Sequence, residues 1–196
     1  MKIKICGIKE RQNCEQIASL NIDYMGLIFA KSPRQVSFDL AQELSLIIRN
    51  SGKKAVGVFV DESDEFILKH ASFLDVLQCY KKVSKDLYTQ AKALKLELWQ
   101  VISVDEKLKY DENINADLVL FDTKGKFKGG NGTSFNWNLL QDYPKDFALA
   151  GGIGLDNIEQ ACKFKPKIID INSRVENALG LKDKALIMQL LKKVGR

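Results

Sequence analysis

Histidine is almost absent from this chain: among 196 residues only His70 carries an imidazole. A Ser-His-Asp triad or a histidine metal site would have to be built on that one residue. Its setting, DESDEFILKHASF, reads as an amphipathic helix, where a surface or half-buried structural role is expected. The four cysteines at 6, 14, 79 and 162 include no C-x-x-C, which removes a zinc ribbon and a thioredoxin-type pair. No stretch approaches the roughly 18 apolar residues of a membrane span. The opening MKIKICGIKE lacks the apolar run of a signal peptide. There is no G-x-G-x-x-G after the first strand-like run and no Walker A lysine, so a nucleotide-binding sheet loses support. No linker, low-complexity tract or sequence repeat divides the chain, and one domain over 1–196 is expected.

What is present is ordinary globular material. Hydrophobic residues make up 45% and charged residues 28%, which excludes disordered, collagenous and coiled-coil chains. Thirty basic and 25 acidic residues give a net charge of +5. That mild excess suits an anionic small substrate and does not by itself argue for nucleic acid. Lysines gather at 163–167 and 182–193, but at helical spacing among acids and leucines, as on a solvated face. Unpaired thiols and no leader point to a reducing cytoplasm.

Eight short runs rich in Val, Ile, Leu and Phe read as buried strands: 2–6, 24–29, 55–60, 75–78, 96–102, 116–122, 146–151 and 167–172. Near-continuous apolar runs without strict alternation fit parallel strands covered on both faces. Helical periodicity fills most gaps. Segment 38–50 aligns Leu40, Leu44, Ile47 and Ile48; segment 84–96 aligns Leu87, Ala91 and Leu94. Segment 156–164 opens on Asp156 with Glu159 three residues on, a capping-box pattern, and 182–194 repeats the period with Leu186, Met188, Leu190 and Leu191. The polar connection 103–115 promises little helix. Eightfold strand–helix alternation means a doubly wound sheet or a (β/α)8 barrel. A barrel of this length, short of the typical ~250 residues, must have trimmed helices. The expectation is an α/β fold, a compact (β/α)8 TIM barrel with a shortened or missing helix after strand five.

In a barrel, chemistry sits at the C-terminal ends of the strands. Those ends carry Cys6-Gly7, the Lys31-Ser32-Pro33-Arg34 segment, Gln78, Asp122, Gly151-Gly152 and Asn172-Ser173. Glycine-rich turns after late strands fit a phosphate, because backbone N–H groups approach an anion closely there. Gly129–Gly132, Gly151–Gly154 and the S-x-x-E run Ser173–Glu176, which resembles a helix start, are the candidates. Cys6 and Asp122 suit proton transfer if the thiol ionises and a buried carboxyl holds its proton. Arg34 can clamp a carboxylate with two parallel bonds.

These residues, in this order, resemble the phosphoribosylanthranilate isomerase family. Lys4-Ile5-Cys6-Gly7-Ile8 is similar to the family's opening signature. Gly26–Phe29 with Ser32–Val36, Val56–Val60, Asp122-Thr123 with Gly129–Thr133, Leu149–Ile153 and Asp170–Glu176 with Gly180–Asp183 continue the likeness along nearly the whole chain. The resemblance implies a short (β/α)8 barrel and an Amadori rearrangement of N-(5-phosphoribosyl)anthranilate in tryptophan biosynthesis, without metal or organic cofactor. It implies Asp122 as general acid and Cys6 as general base. Arg34 would hold the anthranilate carboxylate, and Gly151, Gly152, Ser173 and Arg174 the phosphate, with Gln78 also in contact with substrate. The expected partner is a phosphorylated small molecule, with no nucleic acid and no membrane, for a monomer or homodimer. Tyr80-Lys81 stand where the family usually has histidine and glycine, Asn131 where it has threonine, Leu179 where it has proline and Arg174 where it has glycine. The competing reading is another phosphate-binding barrel enzyme acting on a sugar phosphate, such as an epimerase or a related amino-acid-pathway isomerase; a ribulose-phosphate epimerase would want metal ligands, and the single histidine argues against it.

Overall fold

Eight parallel strands pair in sequence order and close on themselves: β1 Lys2–Cys6, β2 Tyr24–Ile28, β3 Lys54–Phe59, β4 Val76–Cys79, β5 Glu97–Val104, β6 Leu118–Thr123, β7 Phe147–Leu149 and β8 Ile168–Ile171. The computed structural model describes residues 1–111, 113–124 and 134–196. β1 meets β8 through Lys2–Ile168 to Ile5–Ile171, which seals the cylinder. Each apolar run of the sequence is a strand to within a few residues. At 146–151 pairing stops at Leu149, and Gly151–Gly152 fall in the loop.

The period of two sorts the side chains into separate layers. Ile3, Ile5, Met25, Leu27, Leu77, Leu98, Phe121, Leu149 and Ile169 pack outward with the helices. Their alternates Tyr24, Val56, Val76, Trp99, Val101, Leu118, Leu120, Ala148 and Ile168 fill the barrel interior. Above them lies a layer of Cys6, Ile28, Ala30 and Val58 with Tyr80 against it. The same parity turns Lys4, Gln78, Asp122 and Asp170 inward.

Six α-helices are described: α1 Arg11–Ala18, α2 Phe38–Asn50, α3 Asp64–His70, α4 Lys85–Ala93, α5 Ile158–Lys163 and α6 Lys184–Lys193. Serine caps start three of them, with Ser37, Ser63 and Ser84 each accepting an N–H bond three residues on. No helix is described between β5 and β6, as the polar connection implied. A 3-10 turn, Trp137–Leu140, is the only helical element described between β6 and β7, which the sequence did not announce.

Several local expectations need correction. Leu94 follows the end of α4 and is exposed, because the helix stops at Ala93. Met188 is also exposed; Ile187, Leu190 and Leu191 form the buried face of α6. No capping box opens α5: Asn157 is the cap, without a side-chain cap bond, and Asp156 pairs with Arg174. Ser173–Val175 is one 3-10 turn rather than a helix start. His70 is buried rather than half-exposed. Its Nδ1 lies 2.7 Å from the Phe66 carbonyl, amid the rings of Phe29, Phe38, Phe59, Phe66 and Phe73.

Candidate active site

A cavity of about 810 Å³ opens at the C-terminal end of the barrel, well within the size of small-molecule sites. The sequence-predicted Cys6 from β1, Arg34 after β2, Gln78 from β4, Asp122 from β6, Gly151 and Gly152 after β7, and Ser173 and Arg174 after β8 line it. Gly129–Gly132 lies outside the described residues.

Asp122 is buried at the end of β6. Its Oδ1 accepts the Thr123 N–H at 2.8 Å and its Oδ2 accepts the Tyr80 hydroxyl at 2.6 Å. Burial drives its carboxyl up to about 6; the Tyr80 bond opposes this and the Asp170 charge adds to it. The result is an acid that holds a proton far better than an exposed aspartate. Burial and the neighbouring Asp122 hold the Tyr80 phenol well above its ordinary range, so it remains a donor.

Cys6 is buried at the end of β1. Burial pushes its thiol up, the Lys4 ammonium pulls it back, and the balance stays on the raised side. A thiolate lowered below the ordinary range, as the sequence reading required, is therefore not the resting state. Lys4 is fully buried and bonds Asp170 Oδ2 at 2.8 Å. Burial disfavours its charge, but the Asp170 carboxylate outweighs that and keeps it protonated. Opposite Cys6 in the β1–β2 register stands Gly26. A Cβ there would lie 2.6 Å from the Cys6 sulfur, so only glycine leaves room for the thiol.

Arg34 does not hold both donors toward the cavity. Its Nε and Nη2 bond Glu176 Oε1 and Oε2, each at 2.7 Å, so the bidentate clamp read from the sequence is occupied by a protein carboxylate. Glu176 also takes the ammonium of Lys182, which bonds Asn172 Oδ1 at 2.8 Å as well. Burial brings Lys182 down to about 8, against the pull of Glu176.

The Gly151–Gly152 turn has positive φ at both residues, +89° and +61°. A Cβ on Gly151 would lie 2.7 Å from the Thr123 nitrogen. Arg174, exposed, bonds Asp156 at 2.8 Å and reaches the Gly152 carbonyl at 3.4 Å, placing a cation beside this turn. Gln78 Oε1 and Asp170 Oδ1 are buried without a hydrogen-bond partner among the described residues. Both residues line the cavity.

A family model described as N-(5'phosphoribosyl)anthranilate (PRA) isomerase matches residues 3–193. The chain belongs to this family. It is 52% identical over 196 residues to an N-(5'-phosphoribosyl)anthranilate isomerase of Campylobacter jejuni, covering 99% of this chain and 98% of that one. The crystal structure of phosphoribosyl anthranilate isomerase from Thermotoga maritima is similar with a TM-score of 0.82 and 29% identity, covering 98% of each chain. A crystal structure of a phosphoribosyl anthranilate isomerase in complex with reduced 1-(o-carboxyphenylamino)-1-deoxyribulose 5-phosphate is similar with a TM-score of 0.75 and 26% identity, covering 98% of this chain and 97% of that one.

Within this isomerase fold, the departures from the family pattern now have surroundings. Lys81 is tied to Asp64 at the start of α3, and Ser84 bonds the same carboxylate at 2.7 Å. The loop after β4 is thereby anchored, with Tyr80 turned to Asp122. Arg174 neither fills the turn after β7 nor points away; it lies against Gly154 and Asp156. Leu179 is exposed. Sequence reasoning passed over Lys4, Asp170, Tyr80, Glu176 and Lys182 as site residues. For Lys4 the signal was present: it precedes Cys6 by two and so shares its strand face. Glu176 was visible but read as a cap.

Proposed function

We propose that this cavity carries out the Amadori rearrangement of N-(5-phosphoribosyl)anthranilate to 1-(2-carboxyphenylamino)-1-deoxyribulose 5-phosphate in tryptophan biosynthesis, with Asp122 as acid and Cys6 as base. The observation that carries the roles is the pair itself: a buried carboxyl raised to about 6 and a buried thiol line one cavity. Asp122 gives its proton to the furanose ring oxygen, and the C1–O bond breaks to leave a protonated Schiff base. Cys6 as thiolate takes the proton from C2, and the electron pair moves to the nitrogen as an enolamine. Tautomerisation gives the ketone. Every step is a proton transfer or bond shift within the substrate, so the sequence of steps asks for no metal or organic cofactor.

The reactive form has Asp122 protonated and Cys6 ionised. Because Cys6 titrates above Asp122, that form is the minor one of the singly protonated pair, and the acidic limb of the pH–rate profile belongs to Asp122. Lys4, beside Cys6, favours the thiolate once the cationic Schiff base sits over it.

The partner is a phosphorylated small molecule. Gly151, Gly152, Ser173 and the cation of Arg174 support a phosphate site; Arg34, with Nε and Nη2 on Glu176, would meet the anthranilate carboxylate through Nη1. Gln78 offers an unpaired oxygen to a substrate hydroxyl. We place the chain in the cytoplasm as a monomer or homodimer without nucleic acid, on its four free cysteines and mild charge. No described helix is long and apolar enough to cross a membrane.

The test is an isomerase assay on purified protein. Anthranilate and phosphoribosyl pyrophosphate are joined in situ by the preceding transferase, and the fluorescence of the product is followed. Fast decay that is lost in Cys6→Ser, which is expected to fold but offers a poor base, supports the reading. Decay at the spontaneous rate from folded wild-type protein would refute it.

A further inference from the structure

Tyr80 lies in the loop directly after β4, and that loop is pinned. The Tyr80 N–H bonds the Phe59 carbonyl at 2.9 Å and the Lys81 N–H bonds the Val60 carbonyl at 3.1 Å. The Lys81 ammonium is held by Asp64. The ring packs between Val58, Ile28 and Ala30 and the apolar barrel floor, and its hydroxyl reaches Asp122 Oδ2 at 2.6 Å. The other titratable groups facing this carboxyl–phenol pair are Asp170 on β8 and Lys4 and Cys6 on β1. Among the described residues, Tyr80 is the side chain that donates a hydrogen bond to Asp122.

We infer that Tyr80 is a positioning residue of the isomerisation: its hydroxyl fixes Asp122 Oδ2 and stabilises the carboxylate left when the proton has passed to the ring oxygen. This rests on the reading of Asp122 as the acid. In that step the O–H bond of Asp122 breaks and an O–H bond forms on the substrate, while Tyr80 keeps its own proton throughout. A donor fixed on the carboxylate opposes the burial that would otherwise hold the proton on Asp122. Tyr80 thus sets the pH at which the acid changes charge, and makes it a stronger acid than its apolar surroundings would allow.

The variant is Tyr80→Phe, which keeps the ring and removes the donor. Two readouts are taken: the pH dependence of kcat/KM, and the titration of Asp122 by carbon-13 NMR of protein labelled at the aspartate carboxyls. The Asp122 resonance is assigned by its loss in Asp122→Asn. Both the NMR midpoint and the acidic limb are expected to rise by about one pH unit, with KM changed less than about twofold. An unmoved midpoint, or a loss confined to KM with the limb in place, overturns the proposal. Tyr80→Met removes the same hydroxyl and is measured likewise if the phenylalanine protein does not fold. Failure of the underlying reading looks different: inactive wild-type protein, or full activity in Asp122→Asn, removes the acid and with it any role for Tyr80 in the reaction.

Discussion

Asp122 carries a stability penalty along with its chemistry. Its folded pKa of about 6 lies above the ordinary 3.8, so the folded state binds the proton more tightly than the unfolded chain. Stability from this group is fully present below pH ~4 and is lost as pH rises through ~6, a loss of about 3 kcal/mol at neutral pH. Asp122→Asn keeps an acceptor for Tyr80 and cannot ionise. It is expected to be inactive and yet more stable than wild type in urea at pH 7.5, by up to about 3 kcal/mol, with the gain absent at pH 4. Equal stability at both pH values would mean that the carboxyl is not held protonated by burial. Gly26 gives a second residue-scale prediction. Gly26→Ala drives a methyl into the Cys6 sulfur and the backbone behind it, which cannot yield. Activity should fall at least tenfold and stability by roughly 1–3 kcal/mol.

At the scale of elements, the site depends on an ionic knot that ties three segments together. Arg34 follows β2, Glu176 follows β8, and Lys182 precedes α6; Asn13 of α1 bonds Lys182 at both backbone N–H, 3.0 Å, and carbonyl, 2.8 Å. Glu176 is the one anion between two cations, and all three are largely buried. Glu176→Gln leaves both cations without their counter-charge and should destabilise the protein by about 2–4 kcal/mol. The deficit should shrink as pH rises toward ~8 and level off above it, because without Glu176 the buried Lys182 sheds its charge at lower pH than in wild type, where it titrates at about 8. Arg34 loses its fixed orientation in the same variant, so KM for the substrate should rise several-fold; an unchanged KM would separate Arg34 from substrate binding.

At the scale of the molecule, closure is what makes the cavity. β1 and β8 are far apart in sequence, and their pairing brings Lys4 to Asp170. We propose that residues 1–196 form a single domain, since the described strands share one barrel interior. Thermal unfolding followed by near-UV and far-UV circular dichroism should then give one coincident transition. Two separated transitions would show that part of the barrel melts on its own.

The sequence by itself determined the strands, the fold class and the catalytic candidates. Strand identity follows from apolar runs, and the strand ends follow from where those runs stop, so Cys6, Gln78 and Asp122 were legible from local pattern alone. The motifs that carry the family resemblance are likewise contiguous. Only the tertiary structure decided what those residues experience. That Arg34 is held by Glu176, that Tyr80 reaches Asp122, and that Lys4 faces Asp170 are contacts between segments 42 to 166 positions apart. Nor is the raised state of Asp122 and Cys6 written in any local motif. Desolvation is set by every atom around a group, and those atoms come from strands that meet only when the barrel closes.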